Sequence, residues 1–193
     1  MKKLLPLFIL IFAFSISAQV QPQVKPSPDV PIKEPEFIGE AYLLKPDGSF
    51  IQLDKEIGDY TSGISWAKNS FNALSLKING GSAQSRFPSN QPVQLVVRAV
   101  DNNSDPLSII SIYKFKANKN KRTFLLGKDN SGTLMKSSTN SKGLIRFSGK
   151  KYGASSYLIT LTDLESGEYG IVVSNPNSRD EKRTIVSCFG IDK

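Results

Sequence analysis

The chain of 193 residues contains no histidine, one cysteine, one tryptophan and two methionines. Without histidine there is no Ser-His-Asp triad, no Cys-His nucleophile pair, no HExxH zinc site and no imidazole to ligate haem or copper. A single cysteine excludes an internal disulfide and any cysteine cage for zinc or an iron–sulfur cluster. Helical periodicity is missing too: no segment repeats its apolar residues at a period of 3.6, and there is no internal repeat. What is present suits one globular domain with its own core, with 39% apolar and 22% charged residues.

The N-terminus reads as an address. Lys2 and Lys3 precede an apolar run from Leu4 to Phe14, interrupted by Pro6, and then Ser15-Ile16-Ser17-Ala18-Gln19. A positive start, a short apolar stretch and small residues before a polar one predict a Sec signal peptide, residues 1–18, cleaved after Ala18. An uncleaved anchor is the competing reading, but the run falls short of the ~20 apolar residues a span requires. No cysteine follows the run to carry a lipid, and no later stretch approaches spanning length. The expected product is therefore exported to the periplasm, the outer surface or the medium, with no transmembrane span in the mature chain. In an oxidising compartment the lone Cys188 either pairs between chains or is buried. Its strand-like surroundings, Thr184 to Phe189, favour a small buried hydrophobe.

Residues 19–36 hold five prolines and no apolar period, which predicts an extended spacer ahead of a single domain, residues 37–193. From Phe37 the chain reads as strands and turns. Phe37 to Leu44 and Ser49 to Leu53 flank Lys45-Pro46-Asp47-Gly48, a type I turn signal. Ala73 to Ile78 alternates apolar and polar and ends at Asn79-Gly80-Gly81. Pro92 to Val100 is β-branched and mostly apolar, which predicts a central strand buried on both sides for part of its length. Leu107 to Lys116 and Thr123 to Leu126 predict hairpin arms joined by residues 117–122. Gly127 to Gly143 is Ser/Lys/Gly/Asn-rich and reads as a long loop. Gly143 to Ser148, Tyr157 to Thr162, Tyr169 to Ser174 and Thr184 to Ile191 complete the strands. Many short strands at close spacing predict an all-β fold: an antiparallel Greek-key β-sandwich of immunoglobulin-like type, with a barrel as the alternative.

Asp163-Leu164-Glu165-Ser166-Gly167-Glu168-Tyr169 precedes the apolar run Ile171-Val172-Val173. This Leu-x-x-Gly-x-Tyr pattern resembles a tyrosine corner, in which the tyrosine hydroxyl bonds to backbone just upstream. Leu164 would plug the core and Gly167 would permit the turn. The competing reading is an ordinary hairpin turn, and the role is structural in both cases. Together with Gly149 to Ile159 and Cys188-Phe189-Gly190-Ile191-Asp192, the pattern is similar to exported β-sandwich proteins of Bacteroidetes type. That resemblance covers about a quarter of the chain. It implies export and a β fold, and carries over no activity and no catalytic residues.

The charge distribution is the most informative functional feature. Eleven basic residues, Lys114, Lys116, Lys119, Lys121, Arg122, Lys128, Lys136, Lys142, Arg146, Lys150 and Lys151, fall in one window against a single acid, Asp129. The remainder of the chain is net acidic. If these groups share a face, they would attract an anionic envelope component such as lipopolysaccharide, acidic glycan or lipid headgroups. Nucleic acid is disfavoured, because export comes first and no nucleic-acid motif is present. The plainer reading is that lysines decorate a hairpin and blunt a sheet edge. Tyr113 and Phe115 interleave with Lys114 and Lys116, which on a strand puts the aromatics on one face and the lysines on the other.

Enzymatic readings are weaker. Asp54, Glu56, Asp59, Asp163, Glu165 and Glu168 could supply acid–base carboxylates, but nothing in their spacing makes a pair converge. Asp101-Asn102-Asn103-Ser104-Asp105 is oxygen-rich but lacks EF-hand spacing and reads as a polar turn. Trp66, near Tyr60 and Phe71, reads as core rather than as a ligand platform. No catalytic residue, cofactor or metal site is therefore assigned. The expected function is that of an exported, non-catalytic envelope protein acting as a structural or protein-interaction module. Anion binding through residues 114–151 is the alternative, and a hydrolytic enzyme comes third.

Overall fold

The β-branched and alternating runs fold as strands, and they do so on both sides of a shared wall. The computed structural model describes residues 33–65, 71–129, 137–139 and 142–193. The expected signal peptide, most of the spacer, Trp66 and Lys136 lie outside these residues. In chain order the strands are β1 (Ala41–Leu44), β2 (Phe50–Gln52), β3 (Asp54–Ser65), β4 (Phe71–Asn79), β5 (Arg86–Pro88) and β6 (Val93–Arg98). One helical turn, α1 (Pro106–Ile109), follows. Then come β7 (Ile110–Asn118), β8 (Lys121–Asp129), β9 (Ser137–Thr139), β10 (Ser148–Tyr152), β11 (Ser156–Leu161), β12 (Gly167–Val173) and β13 (Arg183–Asp192).

Five strands form a small antiparallel sheet in the order β10-β11-β6-β1-β2. The second sheet runs β12-β7-β8-β4-β3-β13 and closes on itself through β12–β13 pairing, giving a six-strand barrel. Strand β9 extends β8, and β5 lies parallel to the end of β13. The all-β expectation holds, and both architectures weighed from the sequence occur in one domain. The difference from an immunoglobulin-like sandwich is that the larger sheet is closed rather than open.

The closure follows from the wall. On β12, Tyr169, Ile171 and Val173 face the small sheet, while Val172 points into the barrel. On β13, Phe189 and Ile191 face the small sheet, and Val186 and Cys188 face the barrel. Strand β7 does the same with Ile110 and Ile112 on one side and Phe115 on the other. A strand that is apolar on both faces needs cover on both. The small sheet supplies one cover, through Leu95, Val97, Tyr157 and Ile159. The curled remainder of the large sheet supplies the other, through Leu76, Ile78 and Phe124. Gly170 is required in this wall: a Cβ there would collide with the Phe115 ring and the Val186 side chain.

Local chemistry fixes the connections. The β1–β2 turn closes with the Gly48 amide donating to the Lys45 carbonyl at 2.9 Å, with Gly48 at φ +80°. The β7–β8 ladder runs to Asn118 opposite Lys121, so the link is Lys119-Asn120 rather than the expected six residues. The Asn118 side chain accepts from the amides of Asn120 and Lys121 at 3.0 Å, which holds that tight turn. The expected 127–143 loop is in part a ladder, with Gly127 to Asp129 paired to β9. The tyrosine corner has its defining bond: the Tyr169 hydroxyl donates to the Glu165 carbonyl at 2.7 Å. Leu164 is buried in the core between the sheets, and Gly167 stands at φ +155° beside the Lys114 stem.

Residues 33–36, read from the sequence as the end of the spacer, are fastened to the domain. The Glu34 carboxylate accepts from the Ala154 amide at 2.8 Å, the Ser155 amide at 3.0 Å and the Ser156 hydroxyl at 2.6 Å. The Arg98 guanidinium lies 3.6 Å away. Burial pushes the Glu34 carboxyl up, but these hydrogen bonds and Arg98 outweigh it and hold the group below the ordinary glutamate value. Its stabilising contribution is therefore complete above the unfolded-state value and is lost as pH falls through the lower folded-state value.

Two outcomes test this account. Gly170→Val should cost about 1–3 kcal/mol by overpacking, read as a lower urea midpoint with an unchanged slope. Glu34→Gln should flatten the acid limb of the stability profile below about pH 4 and speed proteolytic trimming ahead of β1.

Candidate functional site

The eleven basic residues do not form one surface. Arg122 is 0% exposed. It lies inside the barrel, where its Nε donates to the Gly80 carbonyl at 3.2 Å and its Nη2 reaches Glu56 at 3.3 Å. It is therefore removed from the expected anion-binding set, because β8 turns residues 122 and 124 inward. Lys114 is half-buried, pairs with Glu165 at 2.6 Å and lies 5.9 Å from the Tyr169 ring centre. The Lys114 hydrogen bond in turn holds the Glu165 carboxyl below its ordinary range. Lys116, Lys119 and Lys121 are exposed at the β7–β8 turn. Lys77 joins them on the outer face, because Lys77 and Lys116 both sit opposite Thr123. These four carry no carboxylate partner among the described residues. Lys142 and Arg146 are exposed on the segment leading to β10, and Lys150 and Lys151 lie on β10 at the edge of the small sheet. Lys128 is on β8, and its side chain, like Lys136, lies outside the described residues.

Most of the carboxylates considered for acid–base chemistry are occupied structurally. The chain between β4 and β5 folds over one end of the barrel and needs acceptors for its amides. Glu168, buried, accepts from the Ala83 amide at 2.7 Å and pairs with Arg86 at 2.8 Å. Arg86 also reaches Asp192 at 2.6 Å, and these two carboxylates push the guanidinium pKa up. Asp54 takes the amides of Gln84 and Ser85 and the Ser85 hydroxyl. Ala83 thereby becomes a plug in the barrel core. In the 101–105 turn, Asp101 accepts from the Asn103 amide at 2.8 Å and Asp105 caps α1. Among the described residues no cluster of three or more metal-ligating side chains occurs. Cys188 is fully buried, and burial pushes its thiol up to about 12.

The feature that the residue patterns did not reveal lies where the barrel wall parts. Two of its seams open. Strands β7 and β8 pair only at Lys116 to Asn118 against Lys121 to Thr123. Beyond that point an extended segment fills the gap along β7: the Lys114 amide donates to the Gly143 carbonyl, and the Ile145 amide to the Ile112 carbonyl, both at 2.8 Å. Strands β12 and β13 pair as far as Ile171 opposite Ser187 and then separate, although both continue. The next rung, Val173 with Ile185, does not form. A cleft of about 620 Å³ occupies this second seam, within the ~300–1,000 Å³ of small binding sites.

The cleft has an apolar floor, with Val172, Val173 and Tyr113 on one side and Ile185 and Tyr60 on the other. Burial, then the neighbouring Tyr113, push the Tyr60 hydroxyl above its ordinary range. The connecting loop, residues 174–182, forms the rim with Asp180 and Glu181. Arg183 lies 3.5 Å from Asp59 and 4.0 Å from Asp180, and Arg179 and Lys182 balance Asp180 and Glu181 in the same loop. Ile57, 57% exposed, and Ile185, 38% exposed, stand directly opposite each other on the β3–β13 side of the cleft.

No protein-family model matches the chain, and no curated protein matches it.

Arg122→Ala should cost about 3 kcal/mol by leaving a cavity and an unpaired Glu56. Arg122→Met should stay within about 1 kcal/mol, and Lys119→Ala within about 0.5 kcal/mol, all read by urea unfolding. A thiol reagent should label Cys188 only after unfolding.

Proposed function

We propose that this chain is an exported, non-catalytic envelope module that binds a partner protein, and that it does so through the cleft between β12 and β13. The observation that carries this reading is the exposed apolar pair Ile57 and Ile185 at the side of a cleft with an apolar floor. Contiguous apolar surface rimmed by polar groups is how interaction sites on folded domains are built. The wall supports the same use. A strand that is buried along most of its length and then bared gives a rigid floor with preset side chains, which lowers the ordering cost of binding.

A second reading rests on the β7–β8 turn. Lys116, Lys119 and Lys121 are exposed and make no ion pair among the described residues, which suits a headgroup phosphate or an acidic glycan. Lys150 and Lys151 belong to a different sheet edge and fit edge protection.

Three measurements separate these readings. Intact mass of the chain purified as exported should show Gln19 as the first residue. Nile red should brighten and shift to the blue with the native chain, and Ile57→Lys with Ile185→Lys should remove most of that signal at unchanged stability. Lys116→Ala, Lys119→Ala and Lys121→Ala combined should weaken any low-salt binding to anionic vesicles at least tenfold if the turn is a working surface. An unchanged titration discards the anion reading.

A further inference from the structure

Resting on the cleft reading, we infer that the β12–β13 seam accepts an extended strand of the partner protein, apolar at alternate positions.

Two independent features of the wall point the same way. The first is the rung that does not form. The Ser174 amide donates to the Ile109 carbonyl, which fixes the alternation along β12, so its even-numbered residues bond to β7 and its odd-numbered ones face β13. The Tyr60 amide donates to the Lys182 carbonyl, which assigns the even-numbered residues of β13 to β3 and its odd-numbered ones to β12. Val173 and Ile185 are thus the residues whose main-chain groups face each other across the opening. The Ile185 carbonyl takes the Thr184 hydroxyl at 3.4 Å, a poor substitute for a ladder amide. Main-chain groups left in a partly apolar cleft are costly unless they find partners.

The second feature is the sister seam. Where β7 and β8 separate, the molecule fills the gap with its own extended segment, bonded to β7 through Gly143 and Ile145. Ile145 packs against the core between the sheets, so the filler contributes main-chain bonds and an apolar side chain together. The same wall therefore already accommodates an added strand at one opening, while the β12–β13 opening has none among the described residues.

Side chains of an added strand would alternate between two apolar surroundings: the barrel side, with Val172 and Thr184, and the side of the small sheet, with buried Val173 and half-exposed Ile185. Strand addition of this kind draws affinity from main-chain bonds and selectivity from alternate side chains.

The test uses a blocked seven-residue peptide of alternating valine and threonine with a lysine at each end, titrated into the isotope-labelled chain purified as exported. Two further versions carry N-methyl groups on the valine amides or on the threonine amides. The expected result is binding of the parent peptide with amide shifts centred on Val173 and Ile185, and slower hydrogen exchange at those amides. At least one methylated peptide should bind tenfold or more weakly, and so should the parent peptide to Ile185→Lys. Equal binding of all three peptides in the cleft overturns strand addition and leaves the cleft reading standing. Failure of the peptide to bind while Nile red still reports the cleft also overturns it, in favour of a small apolar ligand. Shifts at Val173 and Ile185 that follow protein concentration alone overturn it in favour of a second copy. Absence of both peptide and dye binding removes the cleft reading itself.

Discussion

Burial of β7, β12 and β13 on both faces is the constraint on which the rest of the molecule depends. A half-buried strand can end a fold at its outer surface, but a strand apolar on both faces commits the chain to a second cover. Here the two covers differ in kind. A short five-strand sheet closes one side, and the far half of the barrel closes the other. The wall is thin, so its packing leaves no slack: residues 168, 170 and 172 and residues 169, 171 and 173 are all buried. The tyrosine corner belongs to the same constraint. It pins the entry to β12, next to the first rungs that β12 makes with β7 and β13. The cleft is the place where the wall outruns one of its covers.

The strands of this wall were legible in the sequence, and β3 was not, for the same reason seen from opposite sides. Tyr169 to Val173 and Val186 to Ile191 are apolar runs that no surface strand would carry. Strand β3 carries Glu56 and Gly58 inward and Ile57 outward, the reverse of the usual alternation. Its Glu56 is inward because Arg122 is, and Gly58 is inward because Leu76 and Val186 leave no room for a side chain. The buried arginine was hidden for a related reason: Lys121-Arg122 reads as solvated charge until β8 turns one of the two into the barrel. The cleft left no signature at all. It arises from a ladder that stops two residues early, and main-chain pairing is not written in residue type. The long connection, residues 174–182, was its nearest sequence signal, since a tight turn would have zipped the two strands together.

Charge separates in space much as it does along the chain, but with a different accounting. Several acidic groups are held at element junctions: Glu34, Glu40, Asp54 and Glu168 each satisfy amides or cations there. Those junctions are where strand ends leave donors unpaired, so carboxylates there do structural work that an apolar residue cannot. The lysines, with long flexible stems and a strong preference for water, remain outside. Part of the polarisation in the sequence is therefore the imprint of how the barrel end is closed, while the lysines of the β7–β8 turn stay exposed.

The closing strand has a further consequence, for the speed of folding. Strand β13 pairs with β12 nearby, and also with β3 and β5 far upstream. The Ser187 hydroxyl bonds to a carbonyl 148 residues away, and Asp192 meets an arginine 106 residues away. Neither core can be sealed before these distant segments meet, so the loop-closure entropy falls due before most of the burial that offsets it. Such a topology folds slowly and as one unit, with few stable fragments on the way. Under the proposed export, during which the chain would stay unfolded, a fold that refuses to form piecemeal would keep it competent for passage.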